Sequence, residues 1–195
     1  MLTKIKQKFE RIIEPVGNIF LKLRLDPNII TLLGFLLSLV AIVSLAITGS
    51  LPVFLVVFIF ASFMDSIDGF VARKTNRVTS FGAFLDSTLD RVTDALMALP
   101  LYIVSLLNFY EVFLLVLGEF LVSYTRARGE TLGIKMSGIG IAERAERIIL
   151  KFVIYALLAF SYSQTAYIFF WILLILTYVT VIQRVIHVYR SLGKP

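Results

Sequence analysis

Six long apolar stretches separated by short polar breaks organise this chain: roughly Ile29 to Thr48, Leu51 to Arg73, Gly82 to Leu107, Phe109 to Arg128, Ile141 to Tyr162 and Thr165 to Tyr189. Each approaches or exceeds the ~20 residues that a helix needs to cross a hydrocarbon core. The breaks at Gly49-Ser50, Asn108 and Ser163-Gln164 allow only tight turns, so successive helices are expected to be antiparallel neighbours in one bundle. Ahead of them, residues 1–25 alternate lysines with apolar residues. That pattern predicts an amphipathic helix on the membrane surface rather than a cleavable secretory signal. The expected architecture is an all-α integral membrane protein, with a juxtamembrane helix over 1–25 and a six-helix membrane domain over 26–195.

Composition agrees with this reading. Hydrophobic residues make up 58% of the 195 positions and the mean hydropathy is +0.90, too apolar for an ordinary water-soluble domain. There is no cysteine, which excludes disulfides and thiolate metal sites; a metal would have to take oxygen ligands or the lone His187. The basic residues set the orientation. Lys4, Lys6, Lys8, Arg11, Lys22 and Arg24 precede the first stretch, Arg73, Lys74 and Arg77 follow the second, Arg126, Arg128 and Lys135 follow the fourth, and Arg190 and Lys194 end the chain. The three short turns on the other side contain no Lys or Arg, so both termini and the basic surface are expected on the cytoplasmic side of the cell membrane. The net charge of +6 then suits anionic headgroups and phosphorylated substrates rather than nucleic acid.

Four aspartates interrupt the second and third apolar stretches at fixed spacing: Asp65 and Asp68, then Asp86 and Asp90. An ionisable residue inside a membrane segment costs about 2.5–3.5 kcal/mol even on the mildest scales, so four of them need compensation. Helical periodicity puts Asp65, Asp68, Gly69, Ala72 and Arg73 on one face, and Gly82, Asp86, Asp90 and Asp94 on another. Closing these faces together would create a site for one or two Mg²⁺ or Mn²⁺ ions, which prefer hard oxygen ligands and keep positions open for phosphate. Gly69, Gly82 and Ala72 leave room for close approach. Arg73 can hold a phosphate bidentately, and Lys74, Thr75 and Arg77 add donors beside it. The alternative is a set of intramembrane salt bridges, with Arg91 as partner of Asp90 and Asp94.

The string Asp65-x2-Asp68-Gly69-x2-Ala72-Arg73-x8-Gly82-x3-Asp86-x3-Asp90 resembles the signature of the CDP-alcohol phosphotransferase family, matched at every defined position. Members of that family are integral membrane enzymes, typically homodimers, that displace CMP from a CDP-linked lipid with an alcohol. The resemblance implies that Asp65, Asp68 and Asp86 ligate metal and that Asp90 lies at the site as the base for the attacking hydroxyl. It also places Gly69, Ala72, Arg73 and Gly82 around the CDP moiety, to which Thr75 is added as a neighbouring donor.

The acceptor is addressed by a second region, Ser123-Tyr124-Thr125-Arg126-Ala127-Arg128-Gly129-Glu130 and Glu143-Arg144-Ala145-Glu146-Arg147, with Arg184 near the chain's end. Convergent arginines would make a pocket for a phosphorylated alcohol, unless Arg126 and Arg128 only fix topology and Arg144 and Arg147 pair with Glu143, Glu146 and Glu130. Within the family, these segments are similar to those of phosphatidylinositol phosphate and archaetidylinositol phosphate synthases. That similarity implies an inositol phosphate pocket built from Ser123, Arg126, Arg147 and Arg184. Ala145 stands where many such sequences have proline, and Arg126 where many have lysine. The expected reaction joins CDP-diacylglycerol or CDP-archaeol to myo-inositol 1-phosphate, with glycerol 3-phosphate as the alternative acceptor.

Two other classes fit less well. Aspartate-rich membrane prenyltransferases resemble chains of about nine spans with differently spaced motifs. A divalent-cation transporter would continue its polar groups across the bilayer, whereas the outer halves of these stretches are almost wholly apolar. Glu119, in the middle of the fourth stretch, is expected to orient an arginine or to bond across the bundle rather than touch substrate. His187 is expected at the interface, and Trp171 and the tyrosines in packing or interfacial roles.

Overall fold

The computed structural model describes residues 13–193, and among these it contains helices and no strand. The helices are α1 (described over 13–22), α2 (Pro27–Thr48), α3 (Leu51–Lys74), α4 (Ser80–Leu96), α5 (Leu99–Ile103), α6 (Phe109–Thr131), α7 (Arg144–Ala159) and α8 (Ser163–Leu192). The first half of the expected surface helix lies outside the described residues.

Local chemistry fixes the helix ends. The Asp26 carboxylate caps α2 by accepting from the Asn28 N–H at 2.9 Å, with Pro27 in the first turn, where its missing N–H costs nothing. The hydroxyl of Thr79 caps α4 by accepting from Gly82 N–H at 3.0 Å. Asn108 and Glu111 form a reciprocal capping box at the start of α6.

Three helices, α2, α3 and α8, are long and apolar enough to cross a membrane. Their outward faces expose Val43, Ile47, Phe60, Ile175 and Ile182, an arrangement that suits contact with lipid. The other three expected stretches are shorter or more charged as helices, because the acids and bases of the site sit on them. The third stretch also departs from expectation. It is expected as one helix over Gly82 to Leu107, but breaks after Leu96 into α4 and α5. Pro100 has no N–H to donate to Leu96 and its ring crowds that carbonyl, which ends the first helix one turn earlier. α7 caps two carbonyls released by the break: Lys151 Nζ donates to Asp94 O at 3.0 Å, and Tyr155 OH donates to Met97 O.

The main core lies away from the aspartates. Phe54, Phe58, Leu101, Leu115, Tyr155, Phe170 and Leu173 are buried there, with the Phe54 and Tyr155 rings edge to face at 4.8 Å. A smaller cluster of Ile13, Ile30, Ile67, Phe70 and Val71 seats α1 against α2 and α3.

The segment before α7 is pinned to α8. Thr180 Oγ1 accepts from Ala142 N–H at 3.0 Å, Gln183 Oε1 accepts from Ile141 N–H at 3.1 Å, and Arg184 Nε donates to Ile139 O at 2.9 Å. Gly140 has φ 114°, and a Cβ there would lie 2.3 Å from Thr180 Cγ2. Only glycine fits on both counts, and the close approach aims the first turn of α7 at the aspartates.

Candidate active site

Asp65 comes from the C-terminal half of α3, and Asp86 and Asp90 from successive turns of α4. Each offers one carboxylate oxygen to a group in which all three lie within 4.8 Å of one another. One divalent ion with metal–oxygen distances of about 2.0–2.6 Å can satisfy oxygens spaced this way, and an all-carboxylate donor set matches a hard cation. The fourth signature aspartate is placed differently. Asp68 is buried and turned toward α2, accepting from the Thr31 hydroxyl at 2.6 Å and from its neighbour Gly69 N–H at 2.5 Å.

Two clefts open on either side of this group. The first, about 330 Å³, is lined by Asp68, Gly69, Ala72, Arg73, Gly82 and Asp86, with Asn28, Thr31 and Arg77 beside them. Gly82 has a structural reason to lack a side chain, since a Cβ there would lie 2.8 Å from Asn28 Oδ1. Thr75 does not line the cleft. Its hydroxyl donates to Val71 O at 2.8 Å, one turn back. The second cleft, about 480 Å³, is lined by Asp86, Asp90, Ser123, Arg126, Arg147 and Arg184, joined by Arg144. Asp86 is thus common to both, Asp68 belongs to the first and Asp90 to the second.

Arg144 links the aspartate group to the second cleft. Its guanidinium lies 2.7 Å from Asp65 Oδ2, 2.9 Å from Asp90 Oδ1 and 3.4 Å from Asp94 Oδ1. This differs from the alternative reading in which Arg144 pairs with the glutamates around it. Arg91 does reach Asp90, at 3.3 Å, whereas Asp94 pairs with Arg144 and approaches Arg147 at 3.8 Å. Arg126 pairs with Glu130 at 3.0 Å. Arg184, 2% exposed, approaches Glu143 at 3.7 Å and donates to Val122 O at 2.5 Å.

Arg147 is equally buried. Its Nε is 3.3 Å from Glu119 Oε1, and Nη1 donates to Ala142 O at 2.9 Å. Glu119 thus bonds across the bundle to an arginine that lines the second cleft. Its other oxygen is 2.8 Å from Lys151 Nζ. His187 lies away from the aspartates, with Nε2 3.3 Å from Lys135 O.

Sequence reasoning passed over Asn28, Thr31 and Lys151 as site residues, and it named Arg144 without assigning it to the pocket. Lys151 was within reach, because Arg144, Arg147 and Lys151 fall at i, i+3 and i+7 and so form one basic stripe on a helix whose other residues, Glu146 apart, are apolar. Thr31 gave no such signal, since its role depends on a partner in another helix.

Comparison with known proteins gives the family. Residues 24–182 match the sequence profile of the CDP-alcohol phosphatidyltransferase family. The chain is 36% identical over 185 residues to the archaetidylinositol phosphate synthase of Pyrococcus horikoshii, covering 95% of each chain. It is similar to the crystal structure of Mycobacterium tuberculosis phosphatidylinositol phosphate synthase with CDP-DAG bound, at 28% identity and a TM-score of 0.79, covering 92% of this chain and 94% of that one. The same mycobacterial enzyme in complex with manganese and citrate superposes with a TM-score of 0.79 at 27% identity, covering 91% and 88%.

Proposed function

The chain belongs to the CDP-alcohol phosphatidyltransferase family, and from that premise we propose that it transfers a phosphatidyl or archaetidyl group from a CDP-linked lipid to 1L-myo-inositol 1-phosphate, releasing CMP. The observation that carries this reading is Asp86 lining both clefts, one rimmed by the signature residues and the other by buried arginines. A nucleotide diphosphate in the first cleft and a phosphorylated alcohol in the second would meet at the aspartates. The archaeal relative and the CDP-DAG-bound neighbour support the two substrate classes.

Asp65, Asp86 and Asp90 would hold Mg²⁺ or Mn²⁺, and Asp68 would serve a second ion. Bound there, the metal supplies charge neutralisation for the diphosphate and for the departing CMP. The protein's own residues divide the remaining work. Arg73 and Arg77 face the diphosphate, and Gly69, Ala72 and Gly82 leave space for the nucleotide. Arg126, Arg147 and Arg184 hold the acceptor phosphate, with Ser123 on the same wall. Asp90, on the acceptor side, takes the proton of the attacking hydroxyl. That oxygen forms a bond to the lipid-bearing phosphorus while the bond from that phosphorus to the bridging oxygen breaks, and the oxygen leaves on CMP.

In this reading all six apolar stretches cross the membrane. The site and both termini face the cytoplasm, where Arg73, Arg77, Arg126 and Arg128 gather in accordance with the positive-inside rule. The family resemblance supports a homodimer.

The test is CMP release by purified protein from CDP-archaeol and from CDP-diacylglycerol, with inositol 1-phosphate, glycerol 3-phosphate, free inositol and serine offered separately, with and without EDTA. Metal-dependent release with inositol 1-phosphate alone is expected. Preference for glycerol 3-phosphate would move the acceptor assignment, and release confined to unphosphorylated alcohols would refute the role of the arginine cleft.

A further inference from the structure

Four ionisable side chains are buried beneath the second cleft: Asp94, Glu119, Arg147 and Lys151 are 6%, 3%, 2% and 1% exposed. Buried ion pairs are poor sources of stability compared with apolar packing, and inside a membrane protein they mark function. The division of contacts among them is uneven. Glu119 approaches Lys151 more closely, at 2.8 Å, than Arg147, at 3.3 Å. Arg147 has Nε on Glu119 and Nη1 on Ala142 O, while its Nη2 lies 3.8 Å from Asp94 Oδ2, beyond hydrogen-bond length. Its Nη2 donates no hydrogen bond among the described residues, and Arg147 lines the cleft.

We propose that Lys151 and Glu119 are positioning residues that set the acceptor specificity of the second cleft: Glu119 fixes Arg147, and Lys151 neutralises Glu119 so that Arg147 keeps its charge for a phosphate dianion. This rests on the reading of that cleft as the site for a phosphorylated acceptor. These four side chains balance two acids against two bases, with Arg144 shared between Asp94 and the aspartates of the metal group. Without Lys151 the cluster carries one net negative charge, and Glu119 has Arg147 as its remaining cationic partner. Both changes oppose a dianion. Lys151 also caps the Asp94 carbonyl at 3.0 Å, a purely structural duty that the test has to separate.

The test compares wild type, Lys151→Met, Glu119→Gln and the charge-balanced double variant in CMP-release assays, fitting kcat and KM for the phosphorylated acceptor that wild type uses. Lys151→Met is expected to raise that KM on the order of 10²-fold, the size of one unit charge lost about 10 Å from a dianion at an effective dielectric near 20. Its kcat at saturating acceptor should change far less, because a contact to the acceptor phosphate acts on binding. The double variant should recover most of the KM although it still lacks the carbonyl cap, and recovery is what a structural role does not produce. The inference is overturned if KM is unmoved in Lys151→Met, or if the double variant is no better than that single one. If Lys151→Met fails to fold, the double variant decides alone, since a KM far above wild type overturns the inference. Wild type that ignores every phosphorylated acceptor defeats the underlying reading instead, which distinguishes the two failures.

Discussion

Arg144→Gln should tighten metal binding. The Arg144 guanidinium is 2.7 Å from Asp65 Oδ2 and 2.9 Å from Asp90 Oδ1, two carboxylates that would ligate the ion. A metal and this arginine rotamer therefore compete for the same carboxylates. Hydrogen bonds to charged groups contribute about 1.5–3 kcal/mol each, and the Arg144 and Asp65 side chains are 26% and 30% exposed, so the lower end applies. Counted alike, the hydrogen bond to Asp65 and the ion pair with Asp90 give roughly 3 kcal/mol. The displaced guanidinium keeps its contact with Asp94, 3.4 Å away, and regains about half of the loss from water in the cleft. The net penalty is about 1.5 kcal/mol, or roughly tenfold in metal affinity. Titration of purified protein with Mn²⁺, following the free ion by electron paramagnetic resonance without substrates, measures this directly. The expected result is about tenfold tighter binding, accompanied by a higher KM for the phosphorylated acceptor because Arg144 also lines the second cleft. Mn²⁺ affinity that is unchanged or weaker would refute the competition and make Arg144 a support for the aspartates.

Three further outcomes are expected. Asp86→Asn, which alters the residue common to both clefts, should lower Mn²⁺ affinity by roughly 10²-fold, a loss at the upper end of that seen for groups that merely support ligands; the same titration checks it, and CMP release should fall with it. Gly82→Ala puts a Cβ 2.8 Å from Asn28 Oδ1; overpacking of about 1–2 kcal/mol should raise KM for the CDP-lipid roughly tenfold in steady-state kinetics and spare KM for the acceptor. Tyr155→Phe removes the donor to the buried Met97 carbonyl at the α4–α5 break; it should cost about 1–3 kcal/mol, seen as a lower unfolding temperature in detergent with KM values for both substrates retained.

Much of this site was legible because its signals are local. Asp65, Asp86 and Asp90 announce themselves by charge in apolar helices, and helical spacing aims Asp86 and Asp90 the same way. Asp26-Pro27 and Thr79 mark helix starts through bonds that span only two or three residues. The signals that failed are those between helices. The pairing of Arg144 with Asp65 spans 79 residues, and nothing near Arg144 in the chain favours it over Glu143 or Glu146. Asp68 shares a helical face with Asp65, yet Thr31, 37 residues away, draws its carboxylate toward α2. Pro100 was visible throughout. It stands in an apolar run, and the fold answers its cost to a continuous third helix with Lys151 and Tyr155.

A metal centre shared by the two clefts is tested most directly by anomalous X-ray scattering at the manganese edge, from crystals of the wild-type protein grown with Mn²⁺. The expected density lies within coordination reach of Asp65, Asp86 and Asp90, with the Arg144 guanidinium moved off the carboxylates. Density that avoids Asp86, or a fully active protein with no anomalous peak among the aspartates, would contradict the centre from which both substrate assignments follow.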